Sequence, residues 1–332
     1  MESPEIVYGD ERTVGYDYFG YDCYVNNNSS DSNLDGKYVA MSGNGGTGYV
    51  KVYWKDNTWA QRGSTINGIN NEEGMGGAVH INDDGTKVIA MAKNYVYVFN
   101  WDGTSDWTLS QSIGPSTRSN FNDMSASDDG LTICFGETGY SSSRGLVQVW
   151  EYDSVTAQYA QKGTNNSLTG SSSLDWFGRS VDISNDGNRI VVGADGYSGR
   201  SGAAYVYYWD DNDNDWIQLG DTFEGLYSNK RFGSTVQIGS PYNTNDSTVI
   251  AVSEPGNDAG FVYIWEYVDN EWKDIVTFSK DNIHSDIESV LYSSTRLGGG
   301  KGLSLSNDGK VLCIGDEYGG ILAIAYILYR GS

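Results

Sequence analysis

Two histidines, His80 and His284, are all that the chain offers for imidazole acid–base chemistry. His80 stands between Val79 and Ile81 in an alternating stretch, so its side chain points opposite to theirs and reads as structural. His284 falls among Asp281, Asp286 and Glu288 in a long connection and reads as a surface histidine beside acids. The sequence has no Walker-type phosphate loop, no paired-histidine metal motif and no nucleophile elbow. Asp211, Asp213 and Asp215 alternate, but no glycine is there to fold them around an ion, so they read as a solvated acidic turn. The richer chemistry is that of contact. Tyr16, Tyr18, Tyr140, Trp176, Tyr197, Tyr227, Tyr292 and Tyr318 all lie in stretches of Gly, Ser and Asn. Rigid aromatic area beside small adaptable polar residues is the composition of a recognition surface, for a protein partner or for sugar rings.

Such residues need a framework of turns to gather them, and the stretch Phe177 to Gly220 supplies its pattern. Phe177 to Ser184 alternates, with Val181 and Ile183 inward, and Asn185-Asp186-Gly187 predicts a tight I′-type hairpin turn. Ile190 to Val192 is a continuous apolar strand, Gly193 to Gly202 a loop, Ala204 to Trp209 a third strand and Trp216 to Gly220 a fourth. Imperfect copies of this four-stranded meander fill the chain, giving six blades at approximately 18–68, 69–117, 118–170, 171–229, 230–289 and 290–332. The last copy is one strand short, and Glu5-Ile6-Val7-Tyr8 has the spacing of the missing fourth strand, so residues 4–10 are expected to complete the final blade. The predicted fold is all-β: a single domain over 1–332, a six-bladed β-propeller of four-stranded antiparallel blades, closed by its own N-terminal strand. In a propeller the connections from strand two to three, and from strand four to the next blade, share one face. The aromatic loops above would pool there.

Composition agrees with a turn-rich packed fold: 43 Gly, only 4 Pro, 25 Tyr and 10 Trp in 332 residues. A formal charge of −23 argues against nucleic acid and anionic membrane surfaces as partners. No apolar run is long enough to span a membrane and no signal peptide is evident at the start, which leaves the compartment unassigned. Cys23, Cys134 and Cys313 are scattered; the last two occupy second-strand positions and read as small buried core residues.

Phe-Gly opening a unit, an Asp-Gly turn, and Gly193-Ala194 after an apolar strand together resemble the FG-GAP repeats of the integrin α-subunit propeller. The full set of marks falls in the fourth unit, where Asp195 replaces the proline of the motif; the fifth has Ser253-Glu254-Pro255 instead. The resemblance implies an adhesion or recognition platform, extracellular or on a virion, with a cytoplasmic setting left open. It also implies calcium as the candidate cofactor, held in the first hairpin loop by alternating oxygens. Asp31, Asn33 and Asp35 with Gly36 come nearest, with Val39 where a further carboxylate is wanted; Asp182, Ser184 and Asp186 come next.

Ser127, Asp129 and Gly130 resemble in part the Asp-box of sialidases, although ordinary hairpin chemistry explains them as well. A glycan-processing enzyme of that kind would need arginines converging on a carboxylate, for which the loop residues Arg144, Arg200, Arg231 and Arg296 are candidates. The preferred reading is a non-enzymatic recognition or assembly module for a protein or glycan. The expected ligand-binding set is Tyr16, Tyr18, Tyr140, Arg144, Trp176, Tyr197, Arg200, Tyr227, Tyr292 and Tyr318. The alternatives are that enzyme, or an inert structural component of a virion or cell coat.

Overall fold

The hairpins that open the units are tied by their own side chains. At Ser184 the carbonyl accepts Gly187 N–H (2.8 Å), Oγ donates to Asp186 Oδ1 (2.6 Å), and the Arg189 N–H donates back to Oγ (2.9 Å). Ser127 with Asp129 and Ser306 with Asp308 repeat the hydroxyl–carboxylate bond at 2.6 and 2.7 Å. Asn82 takes the serine position in the second unit, its Oδ1 accepting Lys87 N–H at 2.8 Å. Gly187 alone is left-handed in its turn, at φ 70°, while Asn185 and Asp186 keep negative φ. The turn is therefore of type I followed by a left-handed glycine and not the expected I′ form, which needs positive φ at both central residues.

The structure, a computed structural model, describes residues 19–26, 36–69, 74–114, 121–164, 168–239, 248–256, 260–279, 296–300, 302–315 and 324–327. Six antiparallel sheets follow one another along the chain. The first runs β1 (Phe19–Val25), β2 (Tyr38–Gly43), β3 (Tyr49–Lys55), β4 (Trp59–Gln61), with β5 (Ile66–Asn67) also paired to β3. The second is β6 (Ala78–Ile81), β7 (Lys87–Met91), β8 (Val96–Trp101), β9 (Trp107–Ile113). The third is β10 (Met124–Ala126), β11 (Thr132–Glu137), β12 (Leu146–Asp153), β13 (Gln158–Gln161), with a single helical turn, α1 (Tyr140–Ser143), between its middle strands.

The fourth sheet is β14 (Ser180–Ile183), β15 (Arg189–Ala194), β16 (Ala203–Asp210), β17 (Asp215–Gln218), with β18 (Phe223–Glu224) added to β16. The turn α2 (Tyr197–Arg200) corresponds to α1. The fifth is β19 (Val236–Gly239), β20 (Thr248–Glu254), β21 (Phe261–Val268), β22 (Glu271–Ser279). The sixth has three strands among the described residues, β23 (Leu303–Leu305), β24 (Val311–Ile314) and β25 (Ile324–Ile327). Residues 4–10, the expected closing strand, lie outside the described residues. No helix among the described residues is long and apolar enough to cross a membrane.

The chain divides into two compact units, Met1–Ile133 with Glu151–Ala160, and Cys134–Trp150 with Gln161–Ser332. In the first, Ala40, Val50 and Val52 pack with Val79, Ile81 and Val88, so the first two sheets share a core. In the second, β15 shows why its sequence is apolar without alternation. Ile190, Val192 and Ala194 join a cluster with Cys134, Val147 and Val149, while Val191 faces Val236, Ile238 and Ile250. A sheet covered on both faces leaves no polar side for the strand, and each such side chain contributes about 1.5–3 kcal/mol by burial. All three cysteines are free; Cys134 is buried as expected, whereas Cys313 is only half-buried because β24 is less covered.

Candidate functional site

The site is built at the β11–β12 and β15–β16 loops of the second unit. Both loops make a left-handed turn: φ is 47°, 61° and 62° at Ser141, Ser142 and Ser143, and 47°, 69° and 66° at Ser198, Gly199 and Arg200. For residues other than glycine this conformation costs about 1–2 kcal/mol each. It is held by a bond closing each turn, Gly145 N–H to Tyr140 O (3.1 Å) and Gly202 N–H to Tyr197 O (3.0 Å).

The turns aim their last carbonyls at the chain arriving at the next sheet. Ser143 O and Arg144 O accept Trp176 N–H (3.0 Å) and Phe177 N–H (3.1 Å); Arg200 O and Ser201 O accept Arg231 N–H and Phe232 N–H, both at 3.0 Å. Phe177 and Phe232 are thereby seated in the core, and the residues just before them, Trp176 (φ 52°) and Arg231 (φ 60°), are held left-handed. Strained backbone of this kind concentrates where a structure positions side chains for a purpose.

A cleft of about 700 Å³ results, lined by Ser171, Ser172, Ser173, Trp176, Tyr197 and Arg200 among others. The Arg200 guanidinium stacks on the Trp176 ring at 4.9 Å. Tyr197 donates its hydroxyl to Glu224 Oε1 (2.9 Å), and that bond raises the phenol pKa above its ordinary value. Asp175 is buried, its Oδ2 accepting Ser171 Oγ (3.0 Å) and Ser172 N–H (2.7 Å).

A second cleft of about 300 Å³ is lined by Arg200, Asn229, Arg231, Pro255, Gly256 and Arg296; Arg200 and Asn229 belong to both. Arg231 donates Nε (3.0 Å) and Nη2 (2.7 Å) to Asp195 Oδ2, and Arg179 Nε lies 3.9 Å from the same oxygen. Asp195 is fully buried, and its Oδ1 has no hydrogen-bond partner among the described residues. Nearby in sequence to Pro255, Glu254 has its carboxyl pushed up by burial, with Tyr263 donating to Oε2 at 2.6 Å.

Of the residues singled out in the sequence, Trp176, Tyr197 and Arg200 meet on the larger cleft, and Arg200, Arg231 and Arg296 meet on the smaller. Tyr140, Arg144 and Tyr227 line neither; Tyr227 is 67% exposed on the loop ahead of Arg231. Tyr16, Tyr18, Tyr292, Tyr318, Asp31, Asn33 and Asp35 lie outside the described residues. The serines 171–173, Asn229 and the Asp195–Arg231 pair were not anticipated. The one available signal was Asp195 itself, an acid standing where an apolar strand gives way to its loop.

The side chains of the second calcium candidate, Asp182, Ser184 and Asp186, are hydrogen-bonded within the fold. Asp182 Oδ2 accepts Ile238 N–H from β19 at 2.8 Å, and Asp186 is engaged by Ser184, so the two carboxylates serve sheet packing and turn closure. Asp22 does the same in the first unit, accepting Val79 N–H at 2.8 Å. Among the described residues no three metal-binding side chains gather. His80 is buried against Tyr24, with ring centres 4.1 Å apart, and desolvation lowers its pKa to about 3. It is neutral at physiological pH and structural.

Residues 169–207 match the FG-GAP repeat family model. The matched segment contains the serines, Trp176, Asp195, Tyr197 and Arg200, that is, most of the larger cleft. No curated protein matches the chain. An FG-GAP repeat in an all-β fold of antiparallel sheets points to a protein-interaction module, and the repeat family is generally non-enzymatic.

Proposed function

We propose that the chain is a non-enzymatic recognition module, a six-bladed propeller closed by its N-terminal strand, that holds a protein or glycan on the face formed by its strand-two-to-three and inter-sheet loops. The observation that carries this reading is the cleft shared by Trp176, Tyr197 and Arg200, side chains from two different loops held by left-handed backbone. An aromatic platform with serines around it offers contact area and adaptable hydrogen bonding together. The test is binding to a printed glycan array and to a panel of purified cell-surface proteins, with wild type set against Trp176→Ala and Tyr197→Ala. Loss of capture at unchanged melting temperature supports the reading; unaltered capture by both variants overturns it. Closure is tested separately by deleting residues 4–10, which is expected to lower the melting temperature if that segment is the proposed closing strand.

A glycan-processing enzyme has one observation in its favour, the meeting of three arginines on the smaller cleft. Its acid–base pair is harder to supply, since among the described residues Asp175 is the acid in the lining of the two clefts and is bound by its own loop. Hydrolysis of any member of a broad glycoside panel would establish that alternative.

A further inference from the structure

We infer that the larger cleft and the loop beside it dock an extended segment of a partner protein in which a carboxylate side chain stands next to a large apolar one. This rests on the recognition reading above and chooses a protein over a glycan as the occupant. The four most exposed large apolar side chains among the described residues are Val155, Leu226, Tyr227 and Leu174. Leu174 lines the cleft, and Leu226 and Tyr227 stand on the loop that gives it Asn229. Three such side chains on neighbouring loops, among serines and an asparagine, mark a surface that another protein covers.

The fold does not ask for them. The two inter-sheet loops run in step from Gly170 to Phe177 and from Gly225 to Phe232, so that Leu226 and Tyr227 match Ser171 and Ser172, and Leu174 matches Asn229. At all three positions the other loop manages with a polar residue. Leu174 is left-handed at φ 69°, a conformation that its counterpart Asn229, at 63°, adopts with less strain. The indole and the serines would suit a sugar ring, but a sugar leaves Leu174 and Leu226 in water, whereas an apolar side chain of a protein segment buries them.

Charge supplies the other half of the partner. The loop stretches 138–145, 170–179, 195–202 and 224–232 hold five cationic residues and three acids, in a chain with 21 of the one and 44 of the other. Two of those acids, Asp175 and Asp195, are buried and hydrogen-bonded within the fold. Arg231 is committed to Asp195 and carries none of the argument. Arg200 carries it: the side chain is exposed, stacked on Trp176, and without a carboxylate partner among the described residues. Charges more than about 8 Å away are screened at physiological ionic strength, so a short segment meets this local balance and not the chain's −23. Because Arg200 and Leu174 line one cleft, the acid and the apolar group of the partner must lie within a few residues of each other.

The test selects a random peptide library, displayed on phage, on the full chain and synthesises the enriched sequences for fluorescence anisotropy. Enriched peptides are expected to carry Asp or Glu beside Leu, Ile or Phe. Binding should weaken tenfold or more when the peptide's acids become amides, and likewise in Arg200→Gln and in Leu226→Ser, each at unchanged melting temperature. It should also weaken between about 50 and about 500 mM NaCl, and Val155→Ser, an exposed apolar position outside these loops, should leave it unchanged. No enrichment, enrichment of basic or purely apolar peptides, indifference to salt, to the amide peptide or to either loop substitution, or an equal loss in Val155→Ser overturns the inference. In any of these cases glycan-array capture that still depends on Trp176 keeps the recognition reading with a sugar as occupant, whereas its absence sinks both.

Discussion

Tyr140–Gly145 with Gly170–Phe177, and Tyr197–Gly202 with Gly225–Phe232, are two versions of one junction, matched residue for residue in length. Trp176 N–H reaches Ser143 O at 3.0 Å in the first, and Arg231 N–H reaches Arg200 O at 3.0 Å in the second. Left-handed residues stand at Leu174 and Trp176 in the one, at Asn229 and Arg231 in the other. Yet Ser143 has become Arg200, Asp175 has become Lys230, and Trp176 has become Arg231. The bonds that join the two loops of each junction are main-chain to main-chain, so the side chains at these positions can differ and take up separate duties. One copy supplies an aromatic wall, the next a set of cations, and their meeting makes the site.

The comparison is broken most forcefully at the glycines where backbone segments of successive sheets touch. A Cβ on Gly136 would lie 1.9 Å from Gly178 O, and one on Gly193 would lie 2.0 Å from Gly233 O. Gly136→Ala and Gly193→Ala are each expected to cost about 3 kcal/mol in urea unfolding, because backbone cannot retreat as a side chain can. Costs that differ by more than about 1 kcal/mol would show that the two backbones are not equivalent in solution.

The next effect separates the copies. Arg231→Ala leaves the buried Asp195, among the described residues, with only Arg179 at 3.9 Å, and is expected to cost about 2 kcal/mol, since Arg231 is itself partly exposed. Trp176→Ala at the matching position is expected to cost less than about 1 kcal/mol, as its backbone bond to Ser143 survives. Thermal melts of both variants measure the difference. A Trp176→Ala loss as large as that of Arg231→Ala would assign the indole to the core.

Such measurements are sharpened by choosing the pH. His80, outside both junctions, has its pKa lowered from 6.5 to about 3, so the unfolded chain takes up the proton first. Stability is therefore full above pH 6.5 and falls as the pH drops toward 3, by about 1.4 kcal/mol per unit for this group. In His80→Asn this contribution to acid sensitivity is expected to vanish in denaturant titrations repeated at pH 7, 6 and 5.

The smallest effect is at Tyr197. Removing its exposed bond to Glu224 in Tyr197→Phe should change stability by less than about 0.5 kcal/mol. Because the folded phenol is raised, the stabilisation is full below the ordinary tyrosine value and is lost as the pH rises from there through the higher folded one. Phenolate absorbance of wild type against Tyr197→Phe, followed from pH 9 to 12, reads the late-titrating group.

Strands and hairpins were legible because their causes are local. Ile190 to Val192 announced a strand covered on both faces, and Ser184-Asn185-Asp186-Gly187 announced a turn, although the form of that turn depended on Ser184 Oγ accepting Arg189 N–H. The site was legible only in part. Trp176, Tyr197 and Arg200 were singled out for their loops and do share a cleft, but Tyr140 and Tyr227, chosen on the same ground, line neither cleft. Loop membership says which end of a sheet a residue occupies and not which way it turns. Left-handed φ at Trp176 and Arg231 carries no sequence mark either, since neither residue prefers it.

By itself the sequence determined a repeating meander, the order of its strands and the abundance of aromatic residues in its loops, because hydrophobic period and glycine placement act over a few residues. Tertiary structure alone decided that Asp195 would meet Arg231, 36 positions away, and that three arginines would close on one space. Those meetings depend on how nearly the glycine backbones of successive sheets approach, a distance set by packing and written in no single stretch of the chain.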